Sequence, residues 1–287
     1  MMPEYLSEES LKDFIAAALR EDIPVEDHST LGSISENHIS TGQLLVKAEG
    51  IIAGMELAGR IFNQVDPALK FFPLVSDGAT VSTNDVAFKI TGSTRSILMC
   101  ERLVLNCMQR MSGIATLTQN LNKIISGTSA RLMDTRKTTP NFRAMEKWAV
   151  RIGGGLNHRF SLSDMVMLKD NHIDAAGGIS AAVTSMRHYL NNKGLKLQIE
   201  VETRNLAEVR EALEADADVI MLDNMTTEMM REAVQLIAGK SKVEASGGIT
   251  ERNLREIAET GVDFISLGLL THSVRSLDLS LKLVRTT

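Results

Sequence analysis

The stretch LQIEVETRNLAEVREALEADADVIMLDNMTTEMMREAVQLIAGKSKVEASGG (Leu197–Gly248) decides the fold. Three β-prone runs stand in it, LQIEVET, VIMLDN and KVEASGG, each ending in polar or glycine-rich residues. Two helical stretches, Leu206–Ala215 and Thr227–Ala238, lie between them. Strand–helix alternation at roughly 20–35 residues per unit predicts a parallel α/β sheet. The runs are nearly continuous in apolar residues, as strands covered on both faces must be. The same texture extends outward: ARLMDTRK (Ala130–Lys137), MVMLKDNH (Met165–His172) and FISLGLLT (Phe264–Thr271) add three runs, and Glu251–Thr260 adds a helix. Six visible strands, with room for a seventh, are too few for a regular eight-fold barrel. No GxGxxG follows the first strand, which argues against a doubly wound dinucleotide-binding sheet. An incomplete barrel is the expectation.

The N-terminal half reads differently. Leu11, Phe14, Ile15, Ala18 and Leu19 follow helical spacing behind Ser7, a suitable N-cap, with Glu8 and Glu9 at the positive end of the helix dipole. A β-rich region follows, with QLLVKAEGIIAG (Gln43–Gly54), LKFFPLV (Leu69–Val75), VAFKITG (Val86–Gly92) and TRSILMC (Thr94–Cys100) as strands and a short helix near Glu56–Val65. Glu101 to about Ile125 reads as one long helix or two, with a break at Ser112-Gly113. LDLSLKLV (Leu277–Val284) alternates apolar and polar residues, a strand pattern. A strand that begins after the barrel has finished can return to the first sheet, so a discontinuous first domain containing both termini is expected.

The chain has 287 residues, enough for one large domain or two ordinary ones. A net charge of −5 argues against a nucleic-acid or anionic-membrane partner held through bulk charge, but not against a local basic pocket. Cys100 and Cys107 read as buried, reduced thiols. No apolar stretch approaches the ~18 residues that span a bilayer. Met1–Ser10 is acidic and lacks an apolar core, unlike a signal peptide, so a cytoplasmic protein is the default.

Function should lie at the C-terminal ends of the barrel strands. Those ends carry Asp134, Arg136 and Lys137; Lys169, Asp170, Asn171 and His172; Glu200 and Glu202; Asp223 and Asn224; Ser246, Gly247 and Gly248; and Gly268 and Thr271. Between Asp134 and Lys169 there are seven basic residues against three acidic ones. Arg143, Lys147 and Arg151 fit a solvated helix face. Arg136, Lys137, Arg159 and Lys169 flank apolar runs or glycines, where guanidinium forks and a compact ammonium select an anion. GGGLNHR (Gly153–Arg159) lets the backbone approach a ligand, and His158 is suited to act as an acid or a hydrogen-bond donor to a carboxylate. EASGG and SLGLLT, at the last two strand ends, are where barrels hold a phosphate through backbone N–H groups and a helix N-terminus; Ser246, Gly247, Gly248 and Gly268 are the candidates. Glu202 and Asp223 suit ribose hydroxyls, a water-bound Mg²⁺ or a cationic sugar.

The run DTRKTTPNFRAMEKWAVRIGGGLNHRFSLSDMVMLKDNH (Asp134–His172) resembles quinolinate phosphoribosyltransferase, also called nicotinate-nucleotide pyrophosphorylase (carboxylating). ERLVLNCMQRMSGIAT (Glu101–Thr116), IEVET (Ile199–Thr203), IMLDNM (Ile220–Met225), EASGGIT (Glu244–Thr250) and ISLGLLTHS (Ile265–Ser273) resemble it too, in the family's order. The resemblance implies phosphoribosyl transfer from phosphoribosyl pyrophosphate (PRPP) to quinolinate, with Mg²⁺, giving nicotinate mononucleotide, pyrophosphate and carbon dioxide. It implies a type II phosphoribosyltransferase-like fold: an N-terminal α/β sandwich, residues 1–112 completed by 274–287, beside an incomplete seven-stranded α/β barrel, residues 113–273. Arg102 looks like the family's arginine that enters a neighbouring subunit's pocket in a homodimer or a hexamer of dimers. Arg136, His158, Arg159 and Lys169 match its quinolinate-binding residues. Lys137, Glu202 and Asp223 match those near the ribose and pyrophosphate, where the carboxylates can meet Mg²⁺ held mainly by substrate and water. Ser246, Gly247, Gly248 and Gly268 match its phosphate loops. Three rivals stand beside this reading: a sister phosphoribosyltransferase with another pyridine carboxylate acceptor, a Schiff-base aldolase through Lys169, and a non-catalytic phosphoribosyl-binding regulator.

Overall fold

A computed structural model describes residues 2–284. The expected first-domain segment 274–287 therefore ends at 285–287 outside the described residues. In chain order the elements are α1 (Glu8–Asp22), α2 (His28–Ser33), β1 (Ile39–Val46), β2 (Gly50–Ile51), α3 (Met55–Val65), β3 (Lys70–Pro73), β4 (Thr80–Val81), β5 (Val86–Ser93), α4 (Thr94–Ile124) and β6 (Arg131–Met133). They continue with α5 (Arg143–Ile152), β7 (Val166–Leu168), α6 (Asp170–Ala176), α7 (Ile179–Lys193), β8 (Ile199–Thr203), α8 (Leu206–Glu214), β9 (Val219–Asp223), α9 (Thr227–Ile237), β10 (Lys242–Ser246), α10 (Leu254–Ala258), β11 (Phe264–Ser266), α11 (Leu269–His272) and β12 (Leu279–Val284). No helix among the described residues is long and apolar enough to cross a membrane.

The chain forms two compact units. The first runs through Gln119 and takes in Thr138–Gly154 and the chain from Leu269 onward. Its main sheet has the order β12-β1-β5-β3, antiparallel throughout. β12 pairs with β1 from Thr41↔Val284 to Val46↔Leu279, so the last strand does return to the first sheet. Phe62 of α3 and Phe71 and Phe88 of the sheet meet with ring centroids 5.0–5.7 Å apart, anchoring the core. Ser7 caps α1 with Ser10 in a capping box.

Four expectations need correction here. TRSILMC is the first turn and more of α4, not a strand: Ile97, Cys100, Val104, Cys107, Met108 and Met111 are buried at helical spacing, and that long-range periodicity overrides the local β-prone composition. Nor does Ser112-Gly113 break the helix. The Ser112 hydroxyl receives the Ala53 N–H at 2.9 Å, and a side chain at Gly113 would collide with the Arg275 backbone. The pair lets other chain segments approach the helix closely. Lys147 is not on a solvated face: it is fully buried with Glu146, Trp148 and Ala149 on α5, while Arg151 is exposed. The α5 segment itself belongs to the first unit, although it lies within the sequence of the barrel. Both cysteines are buried and unpaired, and burial pushes their thiols up to about 12, which leaves them unreactive.

The second unit, Asn120–Lys137 with Gly155–Gly268, holds a parallel sheet in the order β6-β11-β10-β9-β8-β7. Beyond β6 a single parallel bridge joins Met133 to Leu156. Followed around, the order is β6, Leu156, β7, β8, β9, β10, β11 and back to β6. This is a barrel sequence with seven positions, in which the seventh strand shrinks to one bridge. Among the described residues no pairing joins Leu156 to β7, so the barrel stays open along that seam.

Candidate active site

Strand alternation aims the site. On β8, Ile199 and Val201 face outward, and Glu200 and Glu202 face the barrel interior. The register places Met221 between Glu202 and Glu244, and Asp223 beside Ser246. Ten of the twelve expected site residues consequently line one cavity of about 650 Å³: Arg136, Lys137, His158, Arg159, Lys169, Glu202, Asp223, Ser246, Gly247 and Gly248. Thr135, Met167, Met221, Asn224, Glu244 and Ser266 complete the wall. Arg102 and Gly268 are not among the lining residues. Arg102 is exposed on α4 in the other unit, and Gly268 follows β11.

The cationic wall is held by local bonds. Arg159 donates from Nη1 to the Met165 carbonyl at 3.2 Å. Burial, then the nearby Arg136 guanidinium, pull its pKa down, with Glu200 and Asp164 opposing. Two guanidiniums brought close in a half-buried wall invite an anion between them. The Lys169 ammonium stands 3.7 Å from Glu202 and is half exposed. Its backbone N–H donates to His172 Nδ1 at 3.0 Å at the start of α6. Burial raises the Glu202 pKa, Lys169 opposes, and Asp223 adds to the rise, so the two carboxylates are close enough to repel.

The glycine loop after β10 is built for a close approach. Gly247 has φ +85° and Gly248 φ +64°, and a side chain on Gly247 would collide with the Asn224 carboxamide. Asn224 donates from Nδ2 to Asp223 Oδ2 at 2.8 Å, tying the loop to the acidic edge of the cavity. No helix N-terminus adjoins this loop as expected, because α10 starts only at Leu254. Loop backbone alone therefore faces the cavity there. The glycines of GGGLNHR also serve differently from expectation. None lines the cavity, and a side chain on Gly153 would collide with Ala115 and Thr118 of α4.

His158 and Glu244 of the lining join Glu200 in a buried cluster, and neither glutamate was singled out as a site residue from the sequence. His158 Nε2 is 3.0 Å from Glu200 Oε2 and 3.4 Å from Glu244 Oε2. The Arg159 N–H donates to His158 Nδ1 at 2.6 Å. Asp134, fully buried, receives the His158 N–H at 2.9 Å and the Asn157 Nδ2 at 2.6 Å. Burial opposes a charged His158 ring and the two carboxylates raise its pKa, but the short Arg159 N–H contact at Nδ1 fits only the singly protonated ring. Burial and then Glu244 push Glu200 up to about 7, with His158 opposing. With Nδ1 accepting, the ring proton is on Nε2, within ion-pair distance of both glutamates but not aligned for a hydrogen bond to either. His158 spends Nδ1 inside the protein and lines the cavity with the other residues expected to meet quinolinate. The same three side chains have the spacing of a metal-ligand group. An Nε2 that carries the ring proton cannot bind a cation, whereas metal-bound histidines donate from their other nitrogen. Glu202 and Asp223 are the better place for one, as an all-oxygen pair open to the cavity.

Family models match nearly the whole chain. Residues 23–112 match the quinolinate phosphoribosyl transferase N-terminal domain, and residues 114–282 match its C-terminal domain. A quinolinate phosphoribosyltransferase [decarboxylating] 1b of Nicotiana tabacum is 46% identical over 289 residues, covering 95% of this chain and 82% of that protein. A probable nicotinate-nucleotide pyrophosphorylase [carboxylating] of Synechocystis is 44% identical over 93% of this chain and 90% of its own. The crystal structure of NadC from Streptococcus pyogenes superimposes with a TM-score of 0.92 at 41% identity, over 97% of this chain and 98% of that one.

Proposed function

The chain belongs to the quinolinate phosphoribosyltransferase family, and from that premise we propose how its own residues divide the reaction. The protein transfers the phosphoribosyl group of PRPP to quinolinate with decarboxylation, giving nicotinate mononucleotide, pyrophosphate and carbon dioxide in de novo NAD synthesis. The observation that carries the division of labour is the single cavity in which Arg136, Arg159 and Lys169 face Glu202, Asp223 and the Ser246–Gly248 loop.

Arg136, Arg159 and Lys169 hold the two carboxylates of quinolinate. Without such a wall, bringing a dianion beside a polyanionic donor would be prohibitive through repulsion and desolvation. The Ser246–Gly248 backbone and Lys137 hold the donor's phosphate ends. The pyridine nitrogen attacks the anomeric carbon as pyrophosphate leaves, through an oxocarbenium-like state. Glu202 and Asp223 stabilise the cationic ribose, and Lys137 the departing pyrophosphate. The C2 carboxylate then leaves as carbon dioxide. Its electron pair is accepted beside the cationic ring nitrogen, and a proton replaces it, so no organic cofactor is required. Mg²⁺ fits the oxygen donors of Glu202 and Asp223, held mainly through water and substrate, and would supply charge neutralisation for the pyrophosphate. Arg102, exposed on α4, is assigned to a partner subunit's cavity in a homodimer or a hexamer of dimers.

The aldolase reading loses support, because a half-exposed lysine paired with Glu202 is a poor Schiff-base nucleophile. A regulator would not need Lys137, Glu202 and Asp223 together in one cavity. Incubation with quinolinate, PRPP and Mg²⁺ tests the reading. Nicotinate mononucleotide and carbon dioxide are expected, with no product when nicotinate replaces quinolinate. No product anywhere between about pH 6 and pH 8, the range of a cavity designed for ionised carboxylates, would refute it.

A further inference from the structure

We propose that Glu200 and Glu244 are positioning residues for the acceptor: acting through His158, they fix the Arg159 segment of the cavity wall. The inference rests on the acceptor assignment above. Glu200 is fully buried and absent from the lining, and Glu244, which reaches the wall, is 1% exposed. Both oxygens of Glu200 and Oε1 of Glu244 have no hydrogen-bond partner among the described residues. Fold stability does not explain two such groups. Buried carboxylates with an unmatched oxygen are costly, and replacing a buried charged group by a packed apolar one is often neutral or stabilising. Each comes within ion-pair distance of His158 Nε2, at 3.0 Å for Glu200 and 3.4 Å for Glu244.

That contact propagates. A ring anchored at Nε2 presents Nδ1 to the Arg159 N–H at 2.6 Å, while Asp134 holds the His158 N–H from the other side. Arg159 is thereby fixed at its backbone before its guanidinium reaches Met165 O. The segment lies at the open seam of the barrel, after the Leu156 bridge, where no strand pairing among the described residues holds the chain in place. Side-chain bonds supply the rigidity that a ladder gives elsewhere, and a guanidinium displaced by about an ångström loses much of its value to a carboxylate.

The test is steady-state kinetics of Glu200→Met, Glu244→Met and the double variant, with thermal unfolding of each. The double variant should raise KM for quinolinate about tenfold or more, the range seen when outer-shell partners are lost. KM for PRPP and kcat should change little, and the unfolding midpoint should hold or rise. The single variants should fall between. Glu200→Gln and Glu244→Gln keep an acceptor for Nε2–H and should recover most of the affinity. An unchanged quinolinate KM in the double variant overturns the proposal. So does a parallel loss of stability, both KM values and kcat, which marks a merely structural role. A wild-type protein that makes no product from quinolinate overturns the acceptor assignment itself. Should the methionine variants fail to fold, hydrogen exchange in the wild type decides. The Arg159 amide should exchange slowly, and exchange as fast as exposed loop amides overturns the proposal.

Discussion

Arg159 and Gly247 show how much one residue contributes. Arg159 stands in a half-buried wall beside Arg136, where a planar fork can grip a carboxylate with two parallel bonds. Arg159→Lys keeps the charge and loses the fork. We expect kcat/KM for quinolinate to fall by roughly 10- to 100-fold, the value of one or two charge-assisted bonds, with PRPP affinity little changed in steady-state kinetics. Gly247 combines φ +85° with the Asn224 carboxamide in the space a side chain would need. Gly247→Ala should weaken PRPP binding about tenfold in calorimetry, because both left-handed strain and displaced Asn224 distort the loop. Residues of this kind were legible, because a charged or glycine-rich end on an apolar run has no purpose in folding. Glu200 sat in the same IEVET run as Glu202 and Glu244 opened EASGG, yet neither stood out as a ligand-site residue. The available signal was parity: a glutamate two residues before an inward-facing one also faces inward, only deeper.

Elements were legible wherever one periodicity ran unopposed. β8, β9 and β10 fall within the runs read as strands, and β12 pairs with β1 as its alternation implied. TRSILMC failed because seven residues carry strand composition while the helical period that governs them extends to Met111 and beyond. α5 was misjudged for a related reason: Lys147 looks like a surface residue until its burial with Glu146 is seen. Glu146 explains why that helix sits as it does. Its Oε1 receives Arg110 Nη2 at 2.8 Å and the Thr139 hydroxyl at 2.9 Å, and its Oε2 receives the Thr139 N–H at 3.0 Å. Arg110 also bonds the Thr271 and Val274 carbonyls, so one pair organises α4, α5 and the return of the chain to the first sheet. Glu146→Ala should cost about 3 kcal/mol in urea unfolding, because a charge left without its buried partner is penalised more than the pair is worth.

At the level of the molecule, the sequence implied a first domain that contains both termini and an incomplete barrel. The barrel's seventh position was not legible as a strand, since a single bridge at Leu156 leaves no run of β residues to recognise. Arg102 raises the question of assembly, being exposed on α4 and absent from the cavity lining. A shared site has a distinctive signature. Arg102→Ala and Lys169→Ala should each be inactive, and mixing the two under subunit exchange should restore about a quarter of wild-type activity, from the mixed dimers that hold one intact site. No recovery would place Arg102 outside the partner's cavity. The chemistry is tested most directly with quinolinate labelled in its C2 carboxyl group, incubated with the protein and Mg²⁺ with and without PRPP. Labelled carbon dioxide should appear only with PRPP and in step with pyrophosphate. Release without PRPP, or pyrophosphate without labelled carbon dioxide, would contradict decarboxylation driven by ribosylation of the ring.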